Sequence, residues 1–133
     1  MLRPCFLVVD REFPGTISTR KLVIETAKFN VITAYSAQEA IETLEAFPAI
    51  HGVVLDAEVR DFSCDELVAR FREIKPEIAV VAISGPGGKP CHSADRLLEG
   101  FDPRELLQIL RSMQPKEVEI IEQQEEQLNR RQP

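Results

Sequence analysis

The chain has 133 residues, of which 44% are hydrophobic, and its 22 acidic and 16 basic residues give a net charge of −6. This length and composition suit one domain with its own core. The acidic balance argues against nucleic acid as the main partner, because phosphate binding needs clustered Lys and Arg. No apolar stretch approaches the roughly 20 residues that span a bilayer.

The first half of the chain alternates short apolar runs with helical patterns. The run CFLVV (5–9) predicts a first strand, and a helix is predicted over 14–28. The β-branched run VITAY (31–35) predicts a second strand. Ser36, followed three residues later by Glu39, forms a capping box and predicts the start of a second helix.

The next elements continue this alternation. GVVL (52–55) predicts a third strand, a helix is predicted from Ser63 to about Ile74, and IAVVAI (78–83) predicts a fourth strand. Because these strands are apolar at nearly every position, they are expected to be buried on both faces, as in a parallel sheet. The intervening helices indicate right-handed crossovers.

The region after the fourth strand is rich in residues that break helices. The stretch 84–93 holds three glycines and two prolines, which disfavours a full helix. A short strand is predicted near 96–98 and a helix over 102–113. In that helix, Asp102 suits the N-cap and Pro103 the first turn.

The last residues, 114–133, are predicted to form a linker or a tail helix, separate from a domain over 1–113. Their apolar residues have helical spacing, but Glu125 interrupts the seam that a coiled coil would need. An output domain elsewhere, or a second copy of the chain, is a candidate partner of this tail.

The three cysteines, at positions 5, 64 and 91, are odd in number and have no CxxC spacing. We therefore expect a reduced, cytoplasmic protein with no disulfide framework and no signal peptide. Cys5 and Cys64 are expected in or near the core, because free cysteine is commonly buried.

Two acids, Asp10 and Asp56, each follow a predicted strand directly. Ligands of an α/β sheet bind outside the carboxyl ends of its strands, so these carboxylates meet in one crevice if their strands are neighbours. Paired carboxylates bind Mg²⁺, and a carboxylate beside that ion can attack phosphorus to give an aspartyl phosphate. The alternative is that both acids simply begin surface turns.

Over residues 3–113 the chain resembles the receiver domain of bacterial two-component response regulators. The matching stretches are FLVVDRE, SAQEAIETL, GVVLDAEVRD, KPEIAVVAISG and ADRLLEGFDPRELLQIL. The resemblance implies a flavodoxin-like, doubly wound α/β fold, with a five-stranded parallel sheet in the order 2-1-3-4-5. The helix between the fourth and fifth strands is expected to be shortened.

The resemblance also implies roles for three residues. Asp56 falls on the aspartate that accepts a phosphoryl group from a histidine kinase. Asp10 falls on an acid that holds Mg²⁺ together with Asp56, and Ser84 on the hydroxyl residue that contacts the phosphoryl group. A histidine kinase or another signalling protein is thus the implied partner of a domain that is not itself an enzyme.

Three positions depart from the family pattern or modify the pocket. Arg11 stands where the family has a second metal-binding acid, and a guanidinium cannot bind Mg²⁺. Glu99 replaces the family's lysine, unless that lysine is deleted. Glu58 lies at the pocket rim or is a solvated loop acid. An ion pair of Arg11 with Asp56 or with Glu99 is the expected substitute for the metal.

We therefore expect a degenerate receiver domain that signals through protein–protein contact, with phosphorylation and Mg²⁺ binding weak or lost. The alternative is conventional Mg²⁺-dependent phosphoryl acceptance at Asp56, because Asp10, Asp56 and Ser84 are all present. A third interpretation is an unrelated flavodoxin-like binding protein, for which residues 13–15 form a poor phosphate loop.

Overall fold

The computed structural model describes residues 4–11, 19–59, 61–85, 87–88, 90–100 and 102–113. Their elements, in chain order, are β1 (Cys5–Val9), α1 (Thr19–Thr26), β2 (Asn30–Ala34), α2 (Ala37–Ala46), β3 (Gly52–Asp56), α3 (Cys64–Ile74), β4 (Ala79–Ser84), β5 (Arg96–Glu99) and α4 (Pro103–Ser112). The predicted alternation of strands and helices is confirmed. The predicted start of the first helix at residue 14 and the tail over 114–133 lie outside the described residues.

The five strands form one parallel sheet in the order β2-β1-β3-β4-β5, which confirms the predicted fold class. Successive side chains of a strand point to opposite faces, so the apolar runs supply two cores. One core contains Leu7 of β1 with residues of α2 and α3, and the other contains Val8 of β1 with residues of α1 and α4. Continuous apolar strands are therefore covered on both sides.

The predicted starts of the second, third and fourth helices are confirmed by their caps. The hydroxyl of Ser36 accepts a hydrogen bond from the backbone N–H of Glu39 at 3.0 Å. The Asp102 carboxylate accepts one from Arg104 N–H at 3.0 Å, and Ser63 caps α3 in the same way as Ser36. Each cap satisfies an N–H group that the helix itself leaves without a partner.

The connection between β4 and β5 differs from the predicted shortened helix. Its described residues, 85, 87–88 and 90–95, contain turns and bends and no helix. Gly87 has a φ of 69°, which residues with a Cβ rarely adopt. We call residues 85–95 the β4–β5 segment.

The expectation of no disulfide is wrong, because Cys64 and Cys91 are bonded. Cys64 opens α3 and Cys91 lies in the β4–β5 segment, and both places are at the same edge of the sheet. Their Cα atoms are 5.4 Å apart, within the range of a disulfide, although 27 positions separate them in the sequence. Cys5 is the free cysteine among the three.

No helix within the described residues is long and apolar enough to cross a membrane.

A histidine lies at the opposite edge of the sheet, just before β3. His51 Nδ1 accepts a hydrogen bond from the backbone N–H of Cys5 at 3.1 Å, so the neutral ring carries its proton on Nε2. Burial lowers the pKa of His51, and the charge of Lys75 lowers it further. Lys75 Nζ is fixed there by the carbonyl oxygens of Pro48 and Ile50.

This lowered pKa predicts a loss of stability in mild acid. As pH falls through about 6.5, the unfolded state takes up a proton at His51 before the folded state does. The contribution of His51 is therefore fully present above that pH and declines below it. His51→Asn keeps an acceptor for Cys5 N–H but cannot titrate, so its stability should fall less between pH 7.5 and 5.5 in urea unfolding.

The matched control is His92→Asn, because His92 is exposed. The His51 variant should differ more from the wild type in its dependence on pH than the His92 variant does. An identical slope in the wild type and the His51 variant would contradict the assignment.

Candidate functional site

Three polar side chains are buried at the carboxyl edge of the sheet. Asp56 ends β3, Ser84 ends β4, and Asp10 follows the last residue of β1. Their exposed fractions are only 3%, 4% and 3%. Since β1, β3 and β4 are adjacent, the strand order brings together the three residues singled out from the sequence.

The buried carboxylates share a cation that the sequence analysis did not identify. Arg20 Nη1 donates a hydrogen bond to Asp56 Oδ2 at 3.0 Å and lies 4.0 Å from Asp10 Oδ1. Only 17% of the Arg20 side chain is exposed. Such a charge-assisted bond is roughly twice as strong as a neutral one.

The position of Arg20 follows from the chain path. Helix α1 follows β1 and runs back along the sheet, so its first turn lies at the carboxyl edge of the strands. Ile24, one turn further along α1, is fully buried in the core beside Val8. Residues four apart lie on the same side of a helix, so the burial of Ile24 directs Arg20 towards the sheet edge.

Arg11 contributes a second and weaker contact with the same oxygen. Its Nε lies 3.5 Å from Asp56 Oδ2, while 63% of its side chain is exposed. Of the two ion pairs left open by the sequence, the structure thus contains Arg11 with Asp56. Glu99 is exposed at the end of β5, paired in register with Ser84, and no ion pair joins it to Arg11 within the described residues.

The other oxygen of Asp56 is bonded to its own loop. Asp56 Oδ1 accepts a hydrogen bond from the backbone N–H of Glu58 at 2.8 Å. Glu58 is partly buried, and its Oε1 lies against Gly88 of the β4–β5 segment, where a Cβ would also meet the Gly85 carbonyl at 2.9 Å. The partly buried Glu58 side chain therefore lies next to the β4–β5 segment.

The loop after Asp56 is also fixed to α2. The Asp61 carboxylate accepts hydrogen bonds from Ala37 N–H at 3.0 Å and Gln38 N–H at 3.1 Å. Burial raises the pKa of Asp61, but these backbone bonds outweigh burial, so the pKa is lowered. The carboxylate also complements the positive end of the α2 dipole. The described part of the loop after Asp56 is therefore held in two places, at Glu58 and at Asp61.

Among the described residues of this site, Arg20 competes with Mg²⁺ for a carboxylate oxygen. Mg²⁺ requires oxygen ligands at roughly 2.1 Å in near-octahedral geometry. Asp10 and Asp56 supply carboxylates, but Arg20 Nη1 is bonded to the Asp56 oxygen that such an ion would need. No cluster of three His, Cys, Asp or Glu side chains suited to a metal occurs in the part of the chain that the structure describes.

Sequence reasoning missed Arg20 and Asp61 because both act across long separations. The bond from Arg20 to Asp56 spans 36 positions, and that from Asp61 to Ala37 spans 24. One signal was available for Arg20, which lies one helical turn before the apolar Ile24. No comparable pattern marks Asp61.

No family model and no curated protein matches the chain. Among solved structures, it is similar to a CheY-like response regulator receiver domain from Methylobacillus flagellatus, with a TM-score of 0.73, 23% identity, and 85% and 100% of the two chains covered. A response regulator receiver protein from Sinorhizobium medicae gives a TM-score of 0.68 at 26% identity, covering 84% and 94%.

A third similar structure is the complex of CheX and CheY with BeF3 and Mg²⁺ from Borrelia burgdorferi, with a TM-score of 0.70, 22% identity, and 82% and 87% of the two chains covered. The strand order and these similar structures lead to the same conclusion about the fold. The chain has the fold of the response regulator receiver domain.

Proposed function

We propose that the chain is a receiver-type signalling module in which Arg20 holds Asp56 in place of a metal ion. In this proposal it acts through protein–protein contact, without enzymatic activity of its own, and phosphorylation is weak or lost. The observation that carries the proposal is the 3.0 Å hydrogen bond from Arg20 Nη1 to Asp56 Oδ2.

The first argument concerns the nucleophile. A carboxylate attacks phosphorus through an oxygen lone pair, and both Asp56 oxygens are bonded, one to Arg20 and one to Glu58 N–H. Only 3% of Asp56 is exposed, so an incoming phosphoryl donor must first open the site. Pairing with a guanidinium also withdraws negative charge from the attacking atom.

The second argument concerns the metal. For Mg²⁺ to bind Asp56, Arg20 must give up a hydrogen bond to a charged group, which is worth about 1.5–3 kcal/mol. The departing guanidinium stays tethered to α1 and repels the ion. Both effects lower the affinity for Mg²⁺ relative to a site formed by carboxylates alone.

A second candidate function is phosphoryl acceptance at Asp56 from a histidine kinase. It is supported by the burial of Asp10, Asp56 and Ser84 at one sheet edge. A phosphoryl group carries about two negative charges, which Arg11 and Arg20 could offset after rearrangement. In either case the proposed partner is a cytoplasmic signalling protein; in one similar structure, CheY is found in complex with CheX.

A titration with Mg²⁺ and beryllofluoride, followed by amide NMR, tests the proposal. We expect no saturable shift at residues 10, 56 and 84 of the wild type in millimolar Mg²⁺. The variant Arg20→Met should gain such shifts, because the competing cation is gone. Arg70→Met is the control, since the pair that Arg70 forms with Glu73 within the described residues is exposed.

Acetyl phosphate provides an independent measure of the same site. Mg²⁺-dependent labelling of the wild type that disappears in Asp56→Asn would reject the proposal and support the second candidate. If neither protein is labelled, the result agrees with the pairing of Arg20 and Asp56.

A further inference from the structure

The disulfide joins two parts of the chain that flank the carboxyl edge of the sheet. Cys64 is the first residue of α3, and Cys91 lies in the β4–β5 segment. Both residues are nearly buried, with 6% and 3% of their surface exposed. The bond therefore fixes to α3 a segment that contains no helix in its described residues.

The other described anchors of this segment are the packing of Ala94 on the core and two polar contacts with α3. Asp65 Oδ1 accepts a hydrogen bond from Ser93 N–H at 2.8 Å, and the backbone and hydroxyl of Ser93 lower the pKa of Asp65. Arg72 pairs with Asp95 at 3.3 Å, with 35% and 44% of the two side chains exposed. Surface ion pairs contribute at most about 1 kcal/mol, so the covalent bond is the main anchor.

The end of the segment is held differently from its middle. The Asp95 carboxylate accepts a hydrogen bond from Val80 N–H at 2.7 Å, and Asp95 N–H donates to the Val80 carbonyl at 2.9 Å. These bonds continue the pairing of β4 with β5. They do not depend on the disulfide, so β5 is expected to stay in the sheet when the bond is broken.

We propose that Cys64 and Cys91 form a thiol–disulfide exchange site, whose co-reactant is a dithiol and whose redox state sets the order of the β4–β5 segment. When the bond is intact, residues 91–94 are held on α3. When it is reduced, the segment retains its polar anchors and the packing of Ala94 on the core, and it opens locally. In a reducing compartment, protein disulfides are usually transient, catalytic or redox-sensing.

The exchange is balanced in atoms and electrons. Because both cysteines are buried, a local opening must first expose the bond. A thiolate of the dithiol then attacks one sulfur of the pair, and a mixed disulfide forms. The second thiol of the reductant then attacks the mixed disulfide and releases the protein thiol. Two electrons and two protons end in the thiols of Cys64 and Cys91, and the reductant leaves as its own disulfide. A disulfide of the same class reverses the reaction.

The segment also borders the site described above. Gly88 lies against the Glu58 carboxylate, and Glu58 N–H is bonded to Asp56. A change in the order of the segment is thus transmitted to the loop that carries Asp56. The exchange site does not depend on the role of Asp56, so its failure would leave the proposed function in place.

The test compares the full chain with and without dithiothreitol. Thiol titration of the unfolded chain should find one free thiol in the oxidised protein and three after reduction. On reduction, amide hydrogen exchange of residues 91–94 should accelerate by roughly tenfold or more, to nearly the rate of an unprotected chain, while β1, β3 and β4 exchange faster only to the extent that the whole domain is less stable and stay well protected. Cys91→Ser should show the fast exchange without reductant, and Cys5→Ser should behave as the wild type.

Three results would overturn the proposal. The first is three free thiols in protein that was never reduced. The second is exchange of residues 91–94 that reduction does not change. The third is loss of protection in the strands to the level of the segment, which would mean that the domain opens as a whole and not locally. If Cys91→Ser fails to fold, the reduced wild type decides between these outcomes.

Discussion

Replacing Arg20 with methionine is expected to lower the free energy of unfolding by about 2–4 kcal/mol. The variant leaves Asp56 buried without its cation, and removing one partner of a buried pair costs roughly 3–5 kcal/mol. The expected value is slightly smaller because 17% of the Arg20 side chain is exposed, which screens the pair. Methionine retains the apolar stem, so the loss reports mainly on the charge.

Urea unfolding at neutral pH measures this effect, with two controls. Arg70→Met removes a pair whose side chains are 51% and 68% exposed, and about 0–1 kcal/mol is expected. Arg11→Met should also cost about 0–1 kcal/mol, because 63% of that side chain is exposed. If Arg20→Met were as mild as Arg70→Met, Arg20 would not be the counter-ion of Asp56.

Loss of the disulfide is the second large effect. A bond that closes a loop of 27 residues stabilises a fold by about 3–4 kcal/mol, chiefly by restricting the unfolded chain. We expect Cys91→Ser to lose this amount in urea unfolding. Domains of this size are typically stable by about 5–15 kcal/mol, so the variant is expected to remain folded.

Cys5→Ser is the matched control, because Cys5 is a free and partly buried cysteine. It should lose much less stability than Cys91→Ser. Wild type treated with dithiothreitol should match Cys91→Ser, since both lack the same cross-link. Equal stability of the oxidised and reduced wild type would mean that the bond does not constrain the unfolded chain.

The fold was predictable because the apolar runs and helix caps in the sequence match the buried strands and helix starts of the structure. The strand β3 lies in the middle of a parallel sheet, and its apolar run could be recognised from residues 52–55 alone. The caps at Ser36 and Asp102 depend on neighbours within three residues. Hydrogen bonds between residues this close in the chain can be predicted from the sequence alone.

The interactions that decide the chemistry of the site were not predictable in this way. Asp10, Asp56 and Ser84 could be placed at one edge from the ends of their strands. The partner of Asp56 could not be predicted, because Arg20 reaches the Asp56 carboxylate only when α1 packs on the sheet. The disulfide was missed for the same reason, since three cysteines without close spacing give no sign of which two meet.

A double-mutant cycle between Arg20 and Asp56 tests the central claim most directly. It combines Arg20→Met with Asp56→Asn and measures unfolding of the four proteins at neutral pH. A direct ion pair predicts a coupling energy of about 1–3 kcal/mol, so the double variant should lose less stability than the two single losses added together. A coupling within about 0.3 kcal/mol of zero would contradict the claim that Arg20 holds the Asp56 carboxylate.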